Sequence, residues 1–137
     1  MTMTIDLRVA DLMTIDPIVV SMDASIEEAE EMLRRHRITG LPVVDLVGRL
    51  VGVISQTDLL YLAVPAVQAL IRHHERGIRV GEVMSTPPVT IESSATVRDA
   101  ARRMQEERLH RLVAVDDHGH PTGVISAMDF VALAAES

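Results

Sequence analysis

With 137 residues the chain has room for one compact domain, or for two intertwined halves each too small to bury a good core alone. Tyr61 and Phe130 are the only aromatic residues and there is no Trp, so any core is built from Val, Ile, Leu, Ala and Met. A net charge of −7 excludes a duplex nucleic acid as main partner, because phosphate neutralisation needs a basic surface. The absence of Cys excludes disulfides, thiolate metal sites and thiol chemistry, and it fits the cytoplasm.

The first residues, Met1 to Asp6, lack a basic segment followed by an apolar run, so no signal peptide is expected. The longest apolar stretch, Leu59 to Ile71, holds Pro65 and Gln68 and is too short to span a bilayer. A cytoplasmic protein with no membrane association is the expectation. The mean hydropathy of +0.21 is high for such a chain and suits apolar surface buried between subunits.

In chain order, the segment Val9-Ala10-Asp11-Leu12-Met13-Thr14 leads through Pro17 to an extended run, Ile18-Val19-Val20. A helix follows. Ser25-Ile26-Glu27-Glu28 has the spacing of a capping box, in which Ser accepts an orphan N–H and Glu reaches back. Ile26, Ala29 and Leu33 then share one helical face. Leu41-Pro42-Val43-Val44 reads as a strand, and Asp45-Leu46-Val47-Gly48-Arg49 as a turn whose glycine supplies positive φ. Leu50 to Ile54 forms the partner strand. A second helix starts near Ser55 and extends to about His74, kinked at Pro65 and ended by Arg76-Gly77.

The same string then returns at an offset of 71 residues without a gap. Met13 falls on Met84, Pro17 on Pro88, Ala29 on Ala100, Arg37 on Arg108, Gly48 on Gly119, Gly52 on Gly123 and Asp58 on Asp129. The second copy offers Val89-Thr90-Ile91 as the extended run and a helix opened by Thr96, with Val97, Ala100 and Met104 on one face. The strands Leu112 to Val115 and Thr122 to Ile125 and a helix from Ser126 complete it. Each copy is β-α-β-β-α, an α+β arrangement with a small mixed sheet. Two copies imply a pseudo-twofold pair rather than a solenoid.

Gly52-Val53-Ile54-Ser55-Gln56-Thr57-Asp58 and Gly123-Val124-Ile125-Ser126-Ala127-Met128-Asp129 place Ser at a strand-to-helix corner and Asp one turn in. Two readings stand side by side. Unpaired N–H groups at a helix start suit an anion, the carboxylate suits a ribose diol, and the glycine permits close approach to the backbone. Equally, Ser-x-x-Asp is a helix cap with an acid in the first turn.

The string from Arg37 through Thr39, Leu41-Pro42-Val43-Val44-Asp45 and Gly48 to the Gly52–Asp58 corner resembles a CBS repeat. The stretch from Arg108 to Phe130 does so again, and the two Met-containing lead-ins resemble those of the same family. The resemblance covers roughly residues 8 to 132, with repeat 1 at 8–66, a linker at 67–78 and repeat 2 at 79–134. It implies an α+β fold of two pseudo-twofold-related repeats forming one Bateman module. It also implies clefts that take an adenosine derivative as a regulatory ligand, AMP or ATP first and S-adenosylmethionine next, with no required cofactor, no metal and no catalytic residue.

By that resemblance Asp58 and Asp129 grip ribose hydroxyls, with Ser55, Thr57 and Ser126 beside them. Ile18, Val20, Val89 and Ile91 flank the base, which reads backbone groups of the lead-in strands. Thr39 in the first copy and His110 and Arg111 in the second face the phosphates. The copies differ here: Thr39-Gly40 is matched by His110-Arg111, Thr57 by Met128 and Pro42 by Val113.

A homodimer through the helices that follow Ser55 and Ser126 is expected, together with an unidentified regulated protein. The alternative function is a structural or partner-docking module that binds no nucleotide. His73-His74-Glu75 and His118-Gly119-His120 with Asp116 and Asp117 are the only support for a metal or pH sensor. No nucleophile with a positioned base, phosphate-binding loop or dinucleotide fingerprint supports an enzyme.

Overall fold

The computed structural model describes residues 7–71 and 77–136. They fall into two compact units, one spanning Ile18–Pro88, the other combining the described residues up to Pro17 with those from Val89 onward. Each unit therefore joins the lead-in of one repeat to the body of the other.

In the Ile18–Pro88 unit, β2 (Val20–Ser21), β3 (Gly40–Val44) and β4 (Leu50–Ser55) form a three-stranded sheet in the order β2-β3-β4. β2 runs parallel to β3, and β3 pairs antiparallel with β4 in the register Leu41↔Ile54. Helix α2 (Ile26–His36) lays Ala29 and Leu33 on this sheet beside Val20, Leu41, Val43 and Ile54. Leu41 and Ile54 are fully buried. Each such side chain contributes about 1.5–3 kcal/mol of burial free energy.

Ser25 caps α2 by accepting the Glu28 N–H at 3.1 Å, but the exposed Glu28 carboxylate does not return the bond, so only half of the expected box forms. The helix ends on Arg37, which takes left-handed backbone (φ 55°). The turn behaves as expected, with Gly48 at φ 86°. Asp45 Oδ1 accepts the Val47 and Arg49 amides at 3.0 and 2.9 Å, which holds its carboxyl below the usual carboxylate range.

The helix after Ser55 is not continuous. α3 (Gln56–Tyr61) closes through three short i→i+3 bonds, Leu62 to Leu59, Ala63 to Leu60 and Val64 to Tyr61, and α4 (Pro65–Ile71) starts anew. Pro65 has no N–H for Tyr61, and its fixed φ suits a first helical position. The expected end of this helix at His74, and the His73-His74-Glu75 group, lie outside the described residues. α5 (Val80–Val83), from the second lead-in, completes this unit. Its Val80 and Gly81 amides donate to the Ala24 and Met22 carbonyls at 2.9 Å, and Val80 is fully buried in the core.

The second unit repeats the plan. α1 (Val9–Leu12), from the first lead-in, is tied by Val9 N–H to the Ala95 carbonyl at 2.8 Å and Ala10 N–H to Ser93 at 2.9 Å. Its sheet runs β1-β7-β6-β5, where β1 is Thr14–Ile15, β5 Thr90–Ile91, β6 Arg111–Val115 and β7 Pro121–Ser126. β1 adds a strand here by pairing Thr14 with Val124 and Ile15 with Gly123.

Helix α6 (Val97–Glu107) starts on Thr96, which accepts the Asp99 N–H at 3.0 Å, and ends on Arg108 at φ 56°. The core gathers Val9, Ile91, Ala100, Met104, Leu112, Ala114 and Ile125. The last helix, α7 (Ala127–Glu136), buries no residue in this unit. Among the described residues no helix is long and apolar enough to cross a membrane.

Candidate functional site: two strand-to-helix corners

In each body, the two central strands bring the end of one beside the start of the other. In the first, Gly40 pairs with Ser55, and the Gln56 amide donates to the Thr39 carbonyl at 2.8 Å. In the second, Arg111 pairs with Ser126, and the Ala127 amide donates to the His110 carbonyl at 2.8 Å. Thr39, Ser55, Thr57 and Asp58 are thus gathered at one corner, and His110, Arg111, Ser126 and Asp129 at the other.

Both carboxylates cap their own helix. Asp58 Oδ2 accepts the Ser55 amide at 2.8 Å and the Ser55 hydroxyl at 3.0 Å, while the Asp58 amide donates back to Ser55 Oγ at 3.2 Å. Asp129 Oδ2 accepts the Ser126 amide at 2.7 Å and its hydroxyl at 3.2 Å. Among the described residues, these bonds use Oδ2 alone, and both Asp side chains are only half-buried. The capping bonds thus leave Oδ1 of each carboxylate out.

The extended segments lie at sheet edges. β2 is outermost beside β3, and β5 is outermost beside β6. Val20 and Ile91 point into the cores, whereas Ile18 and Val89 are half-buried and pack against them. What β2 and β5 offer beyond the sheet is chiefly backbone.

Cations separate the corners. Arg111 is half-buried, and desolvation lowers the pKa of its guanidinium. The equivalent Gly40 is buried and has no side chain. His110 is exposed, as are Thr39 and Thr57.

Cavities open within the bodies among the described residues. One of about 570 Å³ is lined by Leu33, Arg37, Ile38, Thr39, Gln56 and Leu59 among others. Another of about 500 Å³ is lined by residues including Thr90, Ile91, Asp99, Arg103 and Asp116. Thr39 and Ile91 are the expected site residues that reach them, and neither cavity includes Asp58 or Asp129.

The corner glycines have a role that the sequence reading did not identify. A Cβ on Gly52 would sit 2.5 Å from Met84 Sδ and 2.9 Å from the Ser85 carbonyl oxygen, and one on Gly123 would overlap Met13 Sδ. A lead-in methionine, rather than a ligand, occupies that space. The signal was present, since Met and Gly recur at one offset. At the turn after β6, His120 Nδ1 lies 3.6 Å from Asp116 Oδ2, and no group of three or more potential metal ligands forms among the described residues.

The CBS domain family profile matches residues 9–64 and again 80–136. Chloroplastic CBSX1 of Arabidopsis thaliana is 31% identical over 140 residues, covering 86% of this chain and 59% of that protein. Inosine-5'-monophosphate dehydrogenase of Bifidobacterium longum is 32% identical over 120 residues, covering 87% of this chain but 21% of the enzyme. The chain thus spans only about a fifth of the length of the dehydrogenases it matches.

Among solved structures, Arabidopsis thaliana CBSX2 in complex with AMP superposes with a TM-score of 0.83 at 35% identity, covering 95% of this chain and 97% of that one. The CBS domain pair of protein MJ0100 in complex with 5'-methylthioadenosine and S-adenosyl-L-methionine gives 0.82 at 26%, covering 94% and 96%. Two profile matches that together cover most of the chain, on two β-α-β-β-α bodies with the same corner, place this protein in the CBS domain family as a CBS pair of the Bateman type.

Proposed function

We propose that this CBS pair is a regulatory module that binds an adenosine-type nucleotide at its Ser-x-x-Asp corners and performs no chemistry of its own. The observation that carries this reading is the use of one carboxylate oxygen per corner. Asp58 and Asp129 cap through Oδ2 and keep Oδ1 for a ribose diol. Ser55, Thr57 and Ser126 supply neighbouring hydroxyls, and the edge backbone of Ile18 to Val20 or Val89 to Ile91 reads the base. Thr39 serves the first corner, while His110 and Arg111 meet phosphates at the second. The AMP of CBSX2 and the adenosine compounds of MJ0100 support the ligand class. AMP and ATP are the first ligands to test.

A panel of AMP, ADP, ATP, S-adenosylmethionine and NAD by dye-reported thermal melting tests the reading. A ligand at about a hundred times its Kd adds about 2.7 kcal/mol to the folded state. The expected result is a rise with an adenosine nucleotide that disappears in Asp58→Ala or Asp129→Ala. A flat panel at millimolar ligand would overturn it and leave the carboxylates as caps.

The alternative of a docking module draws on a separate observation. α7 exposes Met128 and Val131, and α3 and α4 expose Leu60, Tyr61 and Leu70. A helix apolar on most sides needs a cover. In our reading these helices make a homodimer and transmit ligand binding to a regulated protein. Sedimentation showing a strict monomer at high concentration would remove that step.

A further inference from the structure

We infer that Met13 and Met84 are redox-sensitive latches, whose oxidation by a peroxide releases each lead-in from the strand that ends in the Ser-x-x-Asp corner. The inference stands on packing within each unit and does not depend on the ligand.

Met84 follows α5 and lies over Gly52 in β4. Met13 follows α1 and lies over Gly123 in β7. Both glycines are buried, and the thioether sulfur fills the place of a missing Cβ. Immediately beyond each methionine the lead-in pairs with the same strand. Val53 and Ser85 exchange backbone bonds at 3.1 and 2.9 Å, and Thr14 faces Val124. Sulfur contact and strand pairing together hold the lead-in two to three residues before Ser55 or Ser126.

The chemistry is a single oxygen transfer. A thioether attacks hydrogen peroxide, one O–O bond breaks, an S=O bond forms and water leaves. The sulfur is oxidised by two electrons and the peroxide is reduced by two. The product is polar, chiral and larger at sulfur, and a methionine sulfoxide reductase restores the thioether. The glycine side is already filled by the thioether itself, and burying the new S=O dipole costs free energy unless it finds a donor. Both methionines are half-buried, so a small peroxide reaches them more readily than the buried core residue Met104. Met128 is 69% exposed on the helix proposed for the dimer, so the test is run in a Met128→Leu background.

The test is graded treatment with hydrogen peroxide, mapping of sulfoxides by peptide mass spectrometry, and thermal melting of the same samples. Oxidation at Met13 or Met84 lowers the melt by several degrees, and a methionine sulfoxide reductase returns it. A protein carrying Met13→Leu and Met84→Leu keeps its melt under the same treatment, since Leu and Met are close in volume. If that variant fails to fold, brief proteolysis of partly oxidised parent protein decides the matter. Sulfoxide at position 13 or 84 is expected to concentrate in the cleaved fraction. An unchanged melt with both sites oxidised, an equal fall in the Leu variant, or sulfoxide shared evenly between cleaved and intact chains would each overturn the inference.

Discussion

The two corners are built from the same backbone and differ in what the adjoining strand places beside them. At the first, Gly40 sits opposite Ser55 and adds nothing. At the second, Arg111 sits opposite Ser126, half-buried and partly stripped of water. Duplication thus kept the cap, the carboxylate and the glycine under methionine, while the charge next to the corner was free to vary. The scaffold of a corner and its electrical character are separable properties of this fold.

The difference also extends to packing, where the largest effect is expected. Gly52→Ala forces a methyl group against both the Met84 side chain and the Ser85 carbonyl oxygen. Gly123→Ala meets only the flexible Met13 side chain within the nearest contacts. Overpacking of this kind costs about 1–3 kcal/mol. Urea unfolding should put Gly52→Ala at the upper end and Gly123→Ala at the lower end, and equal losses would erase the distinction.

Next comes charge. In the proposed reading Arg111→Ala removes a charge-assisted contact worth about 1.5–3 kcal/mol, so AMP affinity at the second corner falls about tenfold or more. Adenosine, without phosphate, should bind the variant as it binds the parent. Titration calorimetry with both ligands separates these outcomes. A parallel loss of adenosine binding would mean that Arg111 acts through the fold of the strand.

How much of this was legible beforehand follows from the physics of each feature. The repeat, the helices under Ser25 and Thr96 and the hairpins at Gly48 and Gly119 follow from local pattern, because capping and positive φ are local demands. The choice of body on which each lead-in packs was not legible. The two lead-ins are nearly alike, so either could satisfy either sheet on local grounds. The break at Leu62 to Val64 was underestimated as a kink, since Pro65 can bend a helix or start a new one. The corner glycines suggested close approach correctly, but only packing could reveal that a methionine makes it.

A smaller effect tests what the repeats share. Arg37 and Arg108 both hold left-handed backbone, which is costly for a residue with a Cβ. Arg37→Gly and Arg108→Gly should each raise stability by up to about 1 kcal/mol in urea, and a loss at one site alone would assign that side chain a contact its twin lacks.

The smallest effect lies at low pH. Asp45 is depressed first by its bond from the Arg49 amide, and Asp116 first by that from the His120 amide. With folded pKa values below the unfolded ones, each contributes stability above the ordinary carboxylate pKa. That contribution fades as pH falls through the depressed value. Asp45→Asn and Asp116→Asn should therefore flatten the acid side of a melting-temperature profile slightly, without changing its shape near neutrality.

The pairing of Thr14 with Val124 has a consequence for synthesis. Its two strands lie about 110 residues apart in the chain, whereas the Ile18–Pro88 unit is contiguous. A ribosome releases every residue of the contiguous unit before the partners of β1 exist. The first lead-in must wait, with its Met13 and its strand edge uncovered, until β7 emerges. Closing so long a loop adds only a logarithmic entropy cost but delays the contact. Birth order therefore makes the module asymmetric: one half can fold as it is made, and the other can finish only after β7 has emerged.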